Sequence, residues 1–195
     1  MKILLISDEE SKYMWDFFVP ENFKDIDIII SCGDLKAEYL SFLVTMIKAP
    51  LFYIHGNHDN NYKNNPPEGC ECIDGKIINY NGIRIMGLGG SMKYRETTLV
   101  YTEKEMRKRI NKLKFGLFFN RGVDIIVSHA APKGINDEND LCHEGFKCFL
   151  ELIQKYSPKY FCHGHIHLNY GNKKRIANYK NTMVINAFDH YIFEY

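Results

Sequence analysis

The chain has 195 residues, 45% of them hydrophobic and 25% charged, with a formal net charge of +1. That length predicts a single domain spanning residues 1–195, with room for a sizeable core. So balanced a charge gives no overall pull toward nucleic acid or a membrane surface, and no apolar run approaches the roughly 18 residues of a spanning helix.

Ile3–Ile6 reads as a strand, and Asp8-Glu9-Glu10 ends it too soon for a secretory signal. Tyr13–Phe18 reads as a short helix stopped by Pro20, and Ile26–Ile30 as a strand. Tyr39, Leu40, Phe42, Leu43, Met46 and Ile47 recur at helical spacing, which predicts an amphipathic helix over Glu38–Lys48. Pro50 ends it, and Leu51–Ile54 is the next strand. This β-α-β-α-β order predicts parallel strands with right-handed crossovers.

Asn60–Cys70, rich in Asn, Pro and Gly, reads as a loop. Asn81-Gly82 between Lys76–Tyr80 and Ile83–Leu88 is a two-residue hairpin signal. The glycine-rich Gly87–Ser91 stretch fits either a pocket wall or plain loop geometry. Thr102-Glu103-Lys104-Glu105 is a capping box opening a helix to about Leu113. Its Arg107, Lys108, Arg109 and Lys112, with Lys114, read as a solvated face rather than an anion site. Val123–Val127 is a strand, Phe146–Tyr156 a helix and Tyr160–Cys162 a strand. Lys174–Asn178, Thr182–Asn186 and Tyr191–Glu194 read as short antiparallel strands.

Of six cysteines, Cys32 and Cys162 fall at the ends of buried strands, where a thiol acts as a small hydrophobe. Cys70-Glu71-Cys72 is too tight for the usual zinc spacing. Structural thiols and a reducing, cytoplasmic setting are expected.

Five short segments each follow a predicted strand: Asp8-Glu9-Glu10, Gly33-Asp34, Gly56-Asn57-His58-Asp59, Ser128-His129 and Gly164-His165-Ile166-His167. In an open α/β sheet, ligands bind beyond the carboxyl ends of the strands. Asp8, Asp34, Asn57, His58, His129, His165 and His167 are therefore candidates to converge. Carboxylates, imidazoles and an amide oxygen form a mixed set suited to two divalent metals.

These segments, in this order, resemble the calcineurin-like metallophosphoesterase superfamily, whose pattern is D-x-H, G-D, G-N-H-D/E, a lone His and G-H-x-H. The likeness runs from residue 8 to residue 167. It implies an α/β fold: a four-layer αββα sandwich, two mixed β-sheets flanked by helices. By this resemblance Asp8, Asp34 and His167 hold one metal, and Asp34, Asn57, His129 and His165 the other, with Asp34 bridging. Two metals so held acidify a bridging water for in-line attack on phosphorus. His58 is implied as electrostatic stabiliser or general acid at the leaving oxygen, and Asp59 as a residue that orients an imidazole. His55 and His163 match no motif position and read as structural; His143 and His190 stay open.

The chain departs from the pattern at position 10, where Glu10 stands for the first-motif His. Glu10 either ligates the first metal or points away and leaves that site short of a ligand. A carboxylate there shifts preference toward Mn²⁺ or Mg²⁺, with Fe and Zn also compatible. It also makes the centre less positive, so cations near the motif loops, Lys12, Lys36, Lys93 and Arg95, become candidates to attract phosphate. Lys36 and Arg95 are the chosen substrate-binding candidates.

The expected activity is phosphoric ester hydrolysis on a small substrate, with a lean to phosphodiesters because no cap domain is evident. A phosphomonoesterase, including one acting on phosphoproteins, is the alternative within the class. A scaffold or binding module on the same fold is the alternative outside it. Neither a membrane partner nor tight nucleic-acid binding is expected, since no long basic stripe is present.

Overall fold

The computed structural model describes residues 1–169 and 173–195. The chain opens with β1 (Lys2–Ser7), α1 (Lys12–Trp15), β2 (Ile28–Ser31), α2 (Ala37–Ile47) and β3 (Leu51–Tyr53). Then come β4 (Glu71–Cys72), β5 (Ile77–Tyr80), β6 (Ile83–Leu88), and the short pair β7 (Ser91–Met92) and β8 (Val100–Tyr101). Helices α3 (Glu103–Lys112) and α4 (Lys114–Phe119) precede β9 (Ile125–Ser128), α5 (Lys147–Tyr156) and β10 (Tyr160–His163). The chain closes with β11 (Ile176–Tyr179), β12 (Thr182–Asn186) and β13 (Asp189–Glu194).

Two sheets result, one ordered β13-β1-β2-β3-β4 and the other β11-β12-β10-β9-β6-β5. Alternation along each strand sends side chains to opposite faces. Ile3, Leu5, Ile28 and Ile30 of the first sheet meet Ile85, Ile125, Val127 and Ile185 of the second in one core. Leu4, Ile6 and Ile29 turn outward against Met14 of α1 and Tyr39 and Leu40 of α2. Ile126, Phe161 and Val184 turn outward against Met106, Leu117 and Phe149 of α3, α4 and α5. This is the four-layer αββα sandwich. Strands covered on both faces explain the unbroken apolar runs.

β1, β2 and β3 are parallel, as expected, and so are β6, β9, β10 and β12. The loops after β1, β2 and β3 therefore leave the first sheet on one edge, and those after β9 and β10 leave the second sheet alike. The Asn81-Gly82 hairpin forms, with both residues at positive φ (49° and 85°) as a type I′ turn requires. The capping box forms too: the Thr102 side chain accepts from the Glu105 amide, and Glu105 accepts from the Thr102 amide.

Four expectations need correction. The first helix stops at Trp15, because the chain then turns to stack Phe18 on Phe23, with ring centroids 5.3 Å apart. After α3 the chain kinks at Leu113 and forms α4, unforeseen because Gly116 interrupts the pattern. The last strand does not extend the C-terminal hairpin. β13 crosses to pair antiparallel with β1, and the Arg175 guanidinium donates to the Asn186 and Phe188 carbonyls at the crossover (3.0 and 2.9 Å). Finally, the basic face is not uniformly solvated. Arg107 pairs with Glu151, and Arg109 donates to Asp74 Oδ1 and the Gly89 carbonyl over the Tyr101 ring. Among the described residues, no helix is long and apolar enough to cross a membrane.

Arg84 at the start of β6 fastens the segment that leads into β9. Its amide and Nε donate to Asp124 Oδ2 (2.8 and 2.7 Å) and a terminal nitrogen to Oδ1. The Arg84 guanidinium holds the Asp124 carboxyl below its usual range. A depressed carboxylate stabilises the fold above its unfolded pKa of about 3.9, and the gain is lost as pH falls toward the folded value. Asp124→Asn should cost about 1.5–3 kcal/mol at neutral pH. Thermal melts across pH should show the gap to the parent closing below about pH 4; a gap that persists there would refute the ionic origin.

Candidate metal centre

The loops at the strand ends are pressed together backbone to backbone. A Cβ on Gly33 would lie 2.2 Å from the Gly56 nitrogen, and one on Gly56 would lie 2.0 Å from Asp34 Oδ1. Glycine at both positions is thus what lets the second and third motifs touch. Gly164 does the same for the first and fifth, since a Cβ there would lie 2.0 Å from Ser7 Oγ. The neighbouring side chains take left-handed backbone: φ is 67° at Asp8, 57° at Asp34 and 68° at His165. Asp and His tolerate this region better than most residues, yet each such position costs on the order of 1 kcal/mol or more.

His129, fully buried, follows β9. Its Nδ1–H donates to the Cys32 carbonyl (2.8 Å), so Nε2 is aimed at Asp34 Oδ2 (3.2 Å) and Asn57 Oδ1 (3.0 Å). The Nε2–H of His165 donates to the Cys142 carbonyl (2.6 Å), leaving Nδ1 its lone pair. One ligand atom each from Asp34, His129 and His165 lies within 4.8 Å of the others. Asp8 borders them, its carboxylate accepting the His165 amide at 2.8 Å.

The charges at these groups are strongly coupled. Burial opposes a cation at His129, but Asp34 and then Asp8 raise it to about 10. Burial works to raise Asp34, and the His129 cation overrides it and holds the carboxyl at about 2. Burial, with the His129 charge beside it, lowers His165 to about 3. Burial also raises Asp8.

The donor set fits divalent metal. Both imidazoles spend one nitrogen on a backbone carbonyl, the arrangement that fixes tautomer and aim in metal-ligating histidines. The other nitrogen of His129 faces a carboxylate and an amide oxygen. The proton on His129 Nε2 and a metal ion compete for one lone pair, so binding would release that proton.

A family profile described as calcineurin-like phosphoesterase matches residues 1–169. The chain belongs to the calcineurin-like phosphoesterase family. The solved structure of TT1561 from Thermus thermophilus has a similar fold, with a TM-score of 0.62 at 17% identity, over 96% of this chain and 89% of that one. So has the phosphopantetheinyl hydrolase PptH from Mycobacterium tuberculosis, with a TM-score of 0.64 at 13% identity, over 96% and 88%. No curated protein matches the chain in sequence.

Against the calcineurin-like motif pattern, the structure brings Asp8, Asp34, Asn57, His129 and His165 together. His58 is exposed beside them, its amide donating to Asp34 Oδ1 (2.8 Å). His167 stands apart from the close group; it is exposed and packs on Phe188 with ring centroids 4.9 Å apart. Glu10 has another partner: Oε1 accepts the Lys36 amide (3.1 Å) at the start of α2, and Oε2 pairs with the Lys36 ammonium (3.5 Å). Arg95 is exposed and lies over the Tyr94 ring, 5.1 Å from its centroid.

The expected part for Asp59 changes. Its Oδ2 accepts the Asp34 and Gly56 amides (2.8 and 2.7 Å), and none of its hydrogen bonds among the described residues goes to an imidazole. It is the clamp between the second and third motifs. Burial and the Asp34 charge push its carboxyl up to about 6.

Three contributors carry no motif. Tyr94 OH accepts a long bond from Asn57 Nδ2 (3.5 Å), which turns the amide oxygen to the cluster. The His143 ring lies 5.0 Å from that of His165. His55 meets Asp74 (3.3 Å), which Arg109 and the Gly89 amide also hold. Gly87–Ser91 accordingly backs the third motif, with the Gly90 amide donating to the His55 carbonyl (2.7 Å). His190 pairs with Asp189 (3.1 Å), and His163 is buried with Nδ1 near the Gly164 carbonyl (2.9 Å).

The two Asp59 bonds share one oxygen, which an amide can reproduce. Asp59→Asn should keep activity within about tenfold of the parent. Asp59→Ala should lose about 10–100-fold and melt lower. Equal losses in the two variants, measured as kcat with melting temperature alongside, would mean that the charge rather than the clamp matters.

Proposed function

We propose that the chain is a divalent-metal-dependent phosphoric ester hydrolase acting on small phosphodiesters. The observation that carries this reading is the meeting of Asp34, Asn57, His129 and His165, drawn from both sheets, beside an exposed His58. Asp8, Asp34 and His167 would hold one ion, and Asp34, Asn57, His129 and His165 a second. With Glu10 as a further carboxylate ligand to the first ion, manganese is the favoured metal. Such ions supply Lewis acidity and acidify water near neutral pH.

The remaining work falls to the chain itself. Asn57, turned by Tyr94, presents an oxygen without adding charge. His58, anchored by its own amide and exposed beside the group, would donate an imidazole N–H to a departing ester oxygen. A cleft of about 140 Å³ beside His58 is walled in part by Lys36, whose ammonium can meet phosphate oxygens once it leaves Glu10. Arg95, next to Tyr94, offers a second cation. The exposed His58 side of the site gives the second substituent of a diester a way out. Six free thiols fit a reducing setting such as the cytoplasm.

A binding module on this fold is the second reading, and the Glu10–Lys36 pairing is the observation on its side. Turnover of bis-p-nitrophenyl phosphate and p-nitrophenyl phosphate with Mn²⁺ separates the readings. The diester should be faster, chelator should abolish turnover, and Mn²⁺ should restore it. His58→Ala should cut kcat by about 10²–10⁴-fold with metal content unchanged. Equal or faster monoester turnover defeats the diester assignment. Protein that stays inert and metal-free with every divalent ion supports the module.

A further inference from the structure

Helix α4 puts three phenylalanines into water. Phe115 is 78% exposed, and Phe118 and Phe119 are 77% exposed. Packing does not require this. Leu117, 1% exposed, anchors the helix, and Gly116 lets it lie close on Ile77. Single exposed apolar residues are ordinary, but three aromatic rings on one short helix make a patch.

The charge around the patch is one-sided. Residues 106–123 contain Arg107, Lys108, Arg109, Lys112, Lys114 and Arg121, and no acidic residue. Arg107 and Arg109 are paired with Glu151 and Asp74. Lys108, Lys112, Lys114 and Arg121 are exposed. Lys114 and Lys155 line a groove of about 190 Å³ together with the paired Arg107 and Glu151. The net charge of +1 conceals this segregation.

We propose that this edge docks on an anionic lipid bilayer, with Phe115, Phe118 and Phe119 entering the boundary between headgroups and acyl chains. Lys112, Lys114 and Arg121 then face the lipid phosphates. Apolar rings flanked by cations are what an interfacial anchor needs, and no spanning segment is involved. The charge selects the occupant. Two copies meeting here about a twofold axis would set one patch rimmed by cations against another, with like charges opposed. The Arg84 guanidinium fixes the end of α4 through the Asn120 and Arg121 carbonyls (2.8 and 2.7 Å). α4 leads into the start of β9 and His129 follows its end, a strand of about 13 Å between them. Docking by α4 thus leaves the metal centre open to water.

Flotation of the full chain with vesicles tests this, comparing phosphatidylcholine plus phosphatidylserine with phosphatidylcholine alone. The chain should float with the mixed vesicles only, and less as salt rises. Replacing Phe115, Phe118 and Phe119 together by Ser should lower the bound fraction at least about tenfold, as should K112E with K114E. Both variants should melt like the parent, since none of these side chains is packed. Absence of flotation, equal flotation with neutral vesicles, or a triple Ser variant that still floats would overturn the proposal. So would a dimer that the triple Ser variant abolishes while the parent ignores lipid, or capture of an acidic protein alone.

Discussion

Asp34 is the group on which the two halves of the sandwich are tied. Its amide donates to Asp59, its Oδ1 accepts from the His58 amide, and its Oδ2 faces His129 from the opposite sheet. A buried ion pair is a poor source of stability, because desolvating both charges consumes much of the attraction. Here the cost is offset by hydrogen bonds that leave few lone pairs idle: the Cys32 carbonyl accepts from His129 Nδ1–H, and Asn57 Oδ1 lies against the other nitrogen. An apolar pair would hold the sheets together more cheaply. What the polar pair adds is a preset array of lone pairs, which a cation can enter by displacing a proton rather than by rebuilding the loops.

That array needs tight loops, and tight loops account for much of what the sequence displays. Gly33, Gly56 and Gly164 are motif glycines because a neighbouring loop occupies the space of their side chains. Asp8, Asp34 and His165 sit in left-handed backbone beside them. The strain at the strand ends is carried by strands buried on both faces, so the rigid core holds geometry that a free loop would relax. The readable signals were local ones: apolar runs, the Asn81-Gly82 turn, the Thr102 capping box, and five short polar segments after strands. The unreadable ones involve distant partners. Nothing near Arg109 in the chain announces Asp74, nothing near Tyr94 announces Asn57, and β13 joins β1 across the whole length of the chain. Asp59 was legible as a motif residue, but not as a clamp, because its partners are backbone amides that every residue carries.

Glu10 shows how one substitution in a motif couples two structures. An imidazole at that position has one main use, whereas a carboxylate has two. It can ligate metal, or it can accept from the first amides of a helix, where the helix dipole favours negative charge. In this structure Glu10 takes the second use, on the Lys36 amide at the start of α2, and adds the Lys36 ammonium. Any approach of Glu10 to a metal would therefore release the Lys36 amide and the Lys36 ammonium together. The freed ammonium would carry positive charge to the side of the site where His58 lies. Metal ligation by Glu10 and substrate attraction by Lys36 are in this way linked through one pair.

The same logic of local charge governs the outer layer. A net charge near zero describes the sum, while recognition depends on where the charges stand relative to apolar surface. Along α3 Arg109 is drawn inward by Asp74 and Arg107 is neutralised at the surface by Glu151, which leaves the lysines, among the described residues, as the unpaired cations around the rings. A lysine keeps its ammonium hydrated at the end of a long stem, so it can lie beside an aromatic ring without burying charge. The three rings of α4 and the ammonium groups around them are therefore compatible in water and compatible at a lipid boundary, where ring and charge separate by depth. An acidic residue among them would break that second compatibility, and between residues 106 and 123 there is none.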